Sequence, residues 1–189
     1  GLILIASVPA AVIGLPLDDW LDNHLYNAPV VASMLILYGV LFLVVDNSRR
    51  PSVTHMDQLT WKHALVVGIW QVLSLIPGTS RSGATIVGGL LLGLSRPVAA
   101  QFTFYLAIPV MAGASGLKLV KYLLAGNAFT GLEIGVMLTG MVVAFVISLL
   151  AIGFLMRYVK KHSFRLFGWY RIALGVLVLG VFFVQGLLA

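Results

Sequence analysis

Apolar residues run along this chain in blocks close to the thickness of a bilayer, and polar residues collect between them. The first block is Leu2–Leu17, interrupted at Pro9 and expected to end near Pro16, with the acidic stretch Asp18-Asp19-Trp20-Leu21-Asp22 after it. The second runs from Pro29 to Val45. The longest polar stretch, Asp46–His63, follows and carries Arg49, Arg50 and Lys62. A third helix is predicted over about Trp61–Ile76 and a short one over Gly83–Leu94, ending at Ser95-Arg96-Pro97. Long segments are then predicted over Val98–Val120, Leu132–Met156 and Gly168–Leu188, the last two separated by a basic loop with Arg157, Lys160, Lys161 and Arg165. A membrane helix needs about 20 apolar residues, and most blocks match. Gly83–Leu94 does not: at about 1.5 Å per residue it reaches only about 18 Å, short of a ~30 Å hydrocarbon core.

Charge tests this layout. If the 157–165 loop is cytoplasmic, alternation puts Arg49, Arg50, Lys62 and Arg96 on the same side and Lys118, Lys121, Asp18, Asp19 and Asp22 on the other. That is the bias expected of a multi-pass membrane protein. It also requires the third and fourth segments to go in and come back, as a re-entrant hairpin over residues 61–96 with its tip toward the outer side. Gly89-Leu-Leu-Leu-Gly93 would let a neighbouring helix approach the short arm, and Gly135, Thr139 and Gly140 suggest close packing in the sixth segment.

Composition agrees. The 189 residues are 60% hydrophobic and 10% charged, against about 25% charged in a soluble domain. The net charge of +6 would suggest nucleic acid in a soluble protein. Here it marks cytoplasmic loops, and no nucleic-acid partner is expected. The chain has no cysteine, hence no disulfide framework. It begins at Gly1, directly in an apolar stretch with no basic segment ahead of it, which argues against a signal peptide. The expectation is a single membrane domain, residues 1–189, forming the C-terminal portion of a longer chain.

The chemistry concentrates at Pro77-Gly-Thr-Ser-Arg-Ser-Gly-Ala-Thr85, between the third and fourth segments. Irregular backbone at membrane depth is tolerated where protein buries it or where it lines a polar cavity. An ionisable residue there marks a functional site by default. Pro77 breaks the helix and Gly78 permits unusual dihedrals. Ser80 or Ser82 can cap the next helix, whose first N–H groups have no intrahelical partner. Arg81 adds a planar fork suited to phosphate oxygens; Thr79, Ser80, Ser82 and Thr85 add hydroxyls. Together they predict a phosphate pocket. The competing reading is structural: hydroxyls bonded back to helix carbonyls and a snorkelling arginine.

Other polar residues carry less. Gln71 can face the same cavity or act as packing glue. His55, His63 and His162 read as solvated. Asp18, Asp22 and His24 offer a weak metal reading. Glu133 reads as a helix cap. Trp20, Tyr26, Trp61, Trp169 and Tyr170 flank apolar segments as interface anchors.

Gln71-Val-Leu-Ser-Leu-Ile-Pro-Gly-Thr-Ser-Arg-Ser-Gly-Ala-Thr85 closely resembles the second signature of the undecaprenyl-diphosphate phosphatase family of the bacitracin-resistance type. Gly88-Gly-Leu-Leu-Leu-Gly-Leu-Ser-Arg96 and Phe102-Thr-Phe-Tyr-Leu-Ala-Ile-Pro109 look like its continuation. The resemblance implies an all-α integral membrane protein of the bacterial cytoplasmic membrane, a helical bundle with re-entrant hairpins related as inverted repeats. It implies hydrolysis of undecaprenyl diphosphate to the monophosphate, recycling the lipid carrier for cell-wall synthesis. Ser80, Arg81, Ser82 and Thr85 match the family's catalytic positions, with Gly78, Thr79, Gly83 and Gln71 expected to help bind the polyprenyl diphosphate. A divalent cation, magnesium, is implied as cofactor, with no metal ligand in this chain; a homodimer and a site facing the outer side are also expected.

The family's first signature, a glutamate-rich hairpin followed by serines and a histidine, is absent from these residues. Neither Glu133 nor Asp46 stands in a suitable context to replace it. Two rival readings differ in chemistry. A lipid-phosphate transporter or flippase could use the same anion pocket without hydrolysis. The other Ser-Arg class of membrane lipid phosphatase needs a histidine about six residues after the arginine and an aspartate beyond, where this chain is apolar.

Overall fold

The computed structural model describes residues 1–45 and 51–188, without the side chains of Leu15, Asp18, Asp19, Asp22, Leu187 and Leu188. Asp46, Arg49 and Arg50 of the polar stretch, and the aspartates of the weak metal reading, thus lie outside the described residues. The chain is an all-α membrane protein. Its helices are α1 (Leu2–Leu25), α2 (Ala28–Val45), α3 (Trp61–Val72), α4 (Arg81–Leu91), α5 (Arg96–Leu124), α6 (Gly131–Lys161) and α7 (Arg165–Leu188). Among the described residues, four helices are long and apolar enough to cross a membrane: α2, α5, α6 and α7.

Several predicted boundaries move, for local reasons. α1 does not end near Pro16: it runs through Pro9, Pro16 and the acidic stretch to Leu25. A proline deletes its own N–H but need not end a helix in membrane surroundings. α2 opens on Asn27, whose Oδ1 accepts from Val30 N–H at 3.0 Å. α3 is shorter than predicted, because residues Leu73–Leu75 tighten into a 3₁₀ turn ahead of the break. α4 starts at Arg81, with Ser80 as its cap, and α5 begins at Arg96 with Pro97 in its first turn, a position where the missing N–H costs nothing.

The cap reading of Glu133 holds. Its carboxylate accepts from Thr130 N–H at 2.7 Å, and Thr130 Oγ1 accepts from Glu133 N–H at 3.3 Å. His63 is a cap partner rather than a solvated side chain: it is half-buried and its Nδ1 accepts from Thr60 N–H at 3.1 Å. His24, His55 and His162 are exposed.

Two clusters form the core. One joins α1, α3 and α5 through Ala6, Ala64, Val67, Phe102 and Leu106, and extends to Val53 and Leu59 of the polar stretch. The other joins α2, α4 and the α6–α7 corner through Tyr38, Phe42, Val87, Val159 and Phe164. α4 stands between them, and every residue from Gly83 to Gly89 is buried. Small residues make this possible: a Cβ on Gly88 would enter the ring of Trp70 on α3, and one on Gly89 would lie 3.2 Å from Ala99 Cβ on α5. Gly93 serves differently from the packing role expected of it. It closes α4 with φ +83°, and its carbonyl accepts from Ser52 N–H at 2.9 Å, tying the polar stretch to the α4–α5 corner.

α6 contrasts with α4. From Gly131 to Phe154 its residues are exposed, and Gly135 and Gly140 have no neighbour within 4 Å of a built Cβ. The close packing expected there is not made among the described residues; Thr139 bonds back to Gly135 O at 2.8 Å.

Candidate phosphate-binding site

The break between α3 and α4 is a tight turn dictated by two residues. Ile76 is extended, as a residue before proline prefers. Pro77 and Gly78 occupy the corner, Gly78 with φ +85°, and Thr79 N–H closes the turn on Ile76 O at 3.0 Å. This is a type II turn, whose third position needs a positive φ. Gly78 is also the point where the turn presses on α2, since a Cβ there would overlap the backbone of Val31.

The turn delivers Ser80 to the head of α4. Ser80 Oγ accepts from Gly83 N–H at 3.2 Å and lies 3.0 Å from Ser82 Oγ. The cap uses one of the helix's open donors. The N–H groups of Arg81 and Ser82 are left without an intrahelical partner at the positive end of the dipole. Such an end attracts anions, and the half-buried setting strengthens the attraction by keeping bulk water away.

The predicted residues do not all meet. Ser80, Ser82 and Gly83 line one side of a cavity of about 190 Å³. Arg81 does not line it; its guanidinium turns toward α5, where Nη1 is 3.5 Å from Ala107 O. Thr85 is buried at 1% exposure. Its hydroxyl hydrogen is shared between Arg81 O (3.0 Å) and Ser82 O (3.2 Å), and its oxygen accepts from Thr103 Oγ1 at 2.9 Å. Thr85 is thus a hydroxyl bonded back to helix carbonyls, and it ties the first turn of α4 to α5. Gln71 is also buried away from this cavity, with its Nε2 unpartnered among the described residues, as is Thr79 Oγ1.

A second arginine takes the place beside the serines. Arg171 of α7 donates from Nη2 to Gly78 O at 2.8 Å, and its guanidinium carbon sits 5.8 Å from the centre of the Tyr38 ring. It lines the cavity with Ser80 and Ser82, and its Nε is buried without a partner among the described residues. Sequence reading passed over Arg171. The signal was present, an arginine three residues inside the apolar run that starts at Gly168, but its proximity to the basic 157–165 loop made it look like a flank. The motif is thus bracketed by two cations, Arg81 on the α5 side and Arg171 on the α2–α7 side.

The remaining cavity wall is apolar: Phe42, Ile86, Phe104, Leu155, Phe164, Phe167 and Tyr170. The arrangement can hold an anion at one edge and a hydrocarbon at the other. Among the described residues no group of three His, Cys, Asp or Glu side chains could hold a metal ion.

Comparison with known proteins agrees over nearly the whole chain. The model of the family described as bacitracin resistance protein BacA matches residues 1–177. An undecaprenyl-diphosphatase of Latilactobacillus sakei is 53% identical over 185 residues, covering 96% of this chain and 67% of the relative. Its counterpart in Desulfitobacterium hafniense is 56% identical over 181 residues, covering 94% and 64%. That of Enterococcus faecalis is 52% identical over 181 residues, covering 94% and 66%. The chain spans about two thirds of the length of these relatives.

Proposed function

The chain belongs to the bacitracin resistance protein BacA family, and from that membership we propose that it supplies the phosphate-binding half of an undecaprenyl-diphosphate phosphatase. The reaction splits the phosphoanhydride: a nucleophile attacks the terminal phosphorus, the bond to the bridging oxygen breaks, and undecaprenyl phosphate leaves. Water completes the release of inorganic phosphate. The observation that carries this reading is the Ser80-capped head of buried α4, with an arginine on either side.

In this reading the free N–H groups of Arg81 and Ser82 and the hydroxyls of Ser80 and Ser82 bind phosphate oxygens. Arg171, which lines the cavity, offsets the charge that moves onto the phosphate oxygens, the main need of phosphoryl transfer, and Arg81 adds its charge at longer range from the α5 side. Gly78 and Gly83 let the backbone approach. Thr85 and Gln71 hold the hairpin's geometry from behind. A serine could act as nucleophile only if a base removes its proton, and we assign that base, with the acidic residues the family resemblance implies, to chain outside these 189 residues. The same holds for magnesium. The hydroxyls and carbonyls around the motif do not make a cage for it, so no step here runs through a metal.

The hairpin α3–α4 would re-enter the membrane, since its arms of 12 and 11 residues reach only about 18 Å and about 16 Å. Family membership favours the bacterial cytoplasmic membrane, the loop-charge asymmetry favours a motif toward its outer face, and the exposed length of α6 offers a surface for a second copy. The decisive test is Arg171→Lys in protein extended to the full length of the relatives, since Arg171 is the arginine that lines the cavity with the serines. It keeps the charge but loses the fork. Phosphate release from undecaprenyl diphosphate should fall at least about tenfold, or roughly 1.4 kcal/mol; near-normal release would make Arg171 a structural residue.

A further inference from the structure

Three rungs join α4 to α5, each four residues further along both helices: Gly89 with Ala99, Thr85 with Thr103, and Arg81 with Ala107. At the first, a Cβ built on Gly89 would stand 3.2 Å from Ala99 Cβ, so the helices are in contact there. The middle rung is polar. Thr103 is 5% exposed and Thr85 1%, which leaves bulk water out as a partner for either hydroxyl. A threonine inside a helix commonly bonds back to its own carbonyls. Thr85 does so, but Thr103 donates across the interface to Thr85 Oγ1 at 2.9 Å. The two buried hydroxyls therefore point one way, from α5 into the first turn of α4. Packing alone does not require them, because an apolar pair of the same shape in place of a buried hydrogen bond can be nearly neutral.

The far end of this relay lies at the anion edge. Thr85 divides its hydrogen between Arg81 O at 3.0 Å and Ser82 O at 3.2 Å. The carbonyl of Arg81 shares a peptide unit with the N–H of Ser82, one of the two donors left open at the head of α4. The carbonyl of Ser82 shares one with the N–H of Gly83, which donates to the capping Ser80 Oγ at 3.2 Å. A hydrogen bond accepted by a carbonyl polarises its amide and strengthens what the N–H donates, by about 10–30% per bond. We propose that Thr103 is a positioning residue for phosphate binding: acting through Thr85, it fixes the first turn of α4 and raises the donor strength of the Ser82 N–H. The inference rests on the phosphatase reading, because the donors it concerns are the ones assigned there to the phosphate oxygens.

Equilibrium binding of inorganic diphosphate to full-length protein in detergent separates this role from packing. Thr103→Val keeps the shape and loses the hydroxyl, whereas Thr103→Ser keeps the hydroxyl and loses the methyl. Thr103→Val should weaken diphosphate binding about threefold, and Thr103→Ser should stay within about 1.5-fold of the unaltered protein. With serine nitrogens isotope-labelled, the Ser82 amide proton can be followed by magnetic resonance and identified by its disappearance in Ser82→Ala. It should move upfield in Thr103→Val and hold its place in Thr103→Ser. Where Thr103→Val does not fold, Thr103→Cys takes its place: a thiol is a weak donor, and binding should weaken about twofold with the same upfield movement. Unchanged binding in the variant without a strong donor, an equal loss in Thr103→Ser, or a Ser82 amide that does not move overturns the relay and leaves the phosphate site standing. Failure of inorganic diphosphate to bind the unaltered protein overturns the phosphatase reading, and the relay with it.

Discussion

α4 and α6 are both rich in glycine and apolar residues, yet they occupy opposite environments. α4 is buried without interruption from Gly83 to Gly89, wedged between α2, α3 and α5. α6 is exposed from Gly131 to Phe154, and among the described residues it packs into the core near Leu155–Val159. Composition alone does not separate them. In α4 the small residues face ring and backbone atoms of neighbours, so the absence of a side chain is what lets the helices close. In α6 the glycines meet nothing within 4 Å among the described residues. Membrane helices gain little from hydrophobicity when lipid is the alternative, and packing contacts decide their association. α4 holds a functional motif rigidly because it has such contacts.

A matched pair of substitutions tests that contrast most severely. Gly88→Leu should be the most damaging, because its Cβ alone would enter the Trp70 ring. Overpacking of this kind costs about 3 kcal/mol, visible as loss of the thermal transition in detergent. Gly78→Ala comes next. Its positive φ costs an L-residue about 1–2 kcal/mol, and the new methyl would press on Val31. Phosphate release should drop with stability, because the displaced turn carries Ser80 and the Arg171 contact. Ser80→Ala is expected to cost about 1 kcal/mol through the lost cap, with a further loss of diphosphate affinity; unchanged affinity would remove Ser80 from the site. At the other end of the scale, Gly140→Leu should leave stability within about 0.5 kcal/mol. A large loss there would reveal a packing partner for α6, and cross-linking from that position would show whether it is a second copy.

The sequence made much of this legible. The apolar blocks located the helices because hydrophobic length is a local property, and Pro77-Gly78 located the break because dihedral limits are local too. The same holds for Glu133 as a cap. The ends of α1 and α3 were less legible. Whether Pro16 stops a helix depends on its surroundings, and so does the tightening of Leu73–Leu75 into a 3₁₀ turn. Of the motif, its place and chemistry could be read but its orientation could not. Four hydroxyls look equivalent in a list, and only the packing of α4 on α5 commits Thr85 to Thr103 and to its own helix.

By itself, then, the sequence determined an all-helical membrane protein and the position of one polar break with phosphate-binding residue types. Periodicity, length and backbone sterics act over a few residues, so they can be read in order along the chain. The tertiary structure alone decided that Arg171, 93 residues from Gly78, reaches the turn carbonyl while Arg81 faces away toward Ala107. It also gathered four distant phenylalanines into a cavity wall beside the serines. Those choices depend on which helix faces touch, and that is fixed by the small residues of α2, α4 and α7 meeting across the bundle, not by the order in which they occur.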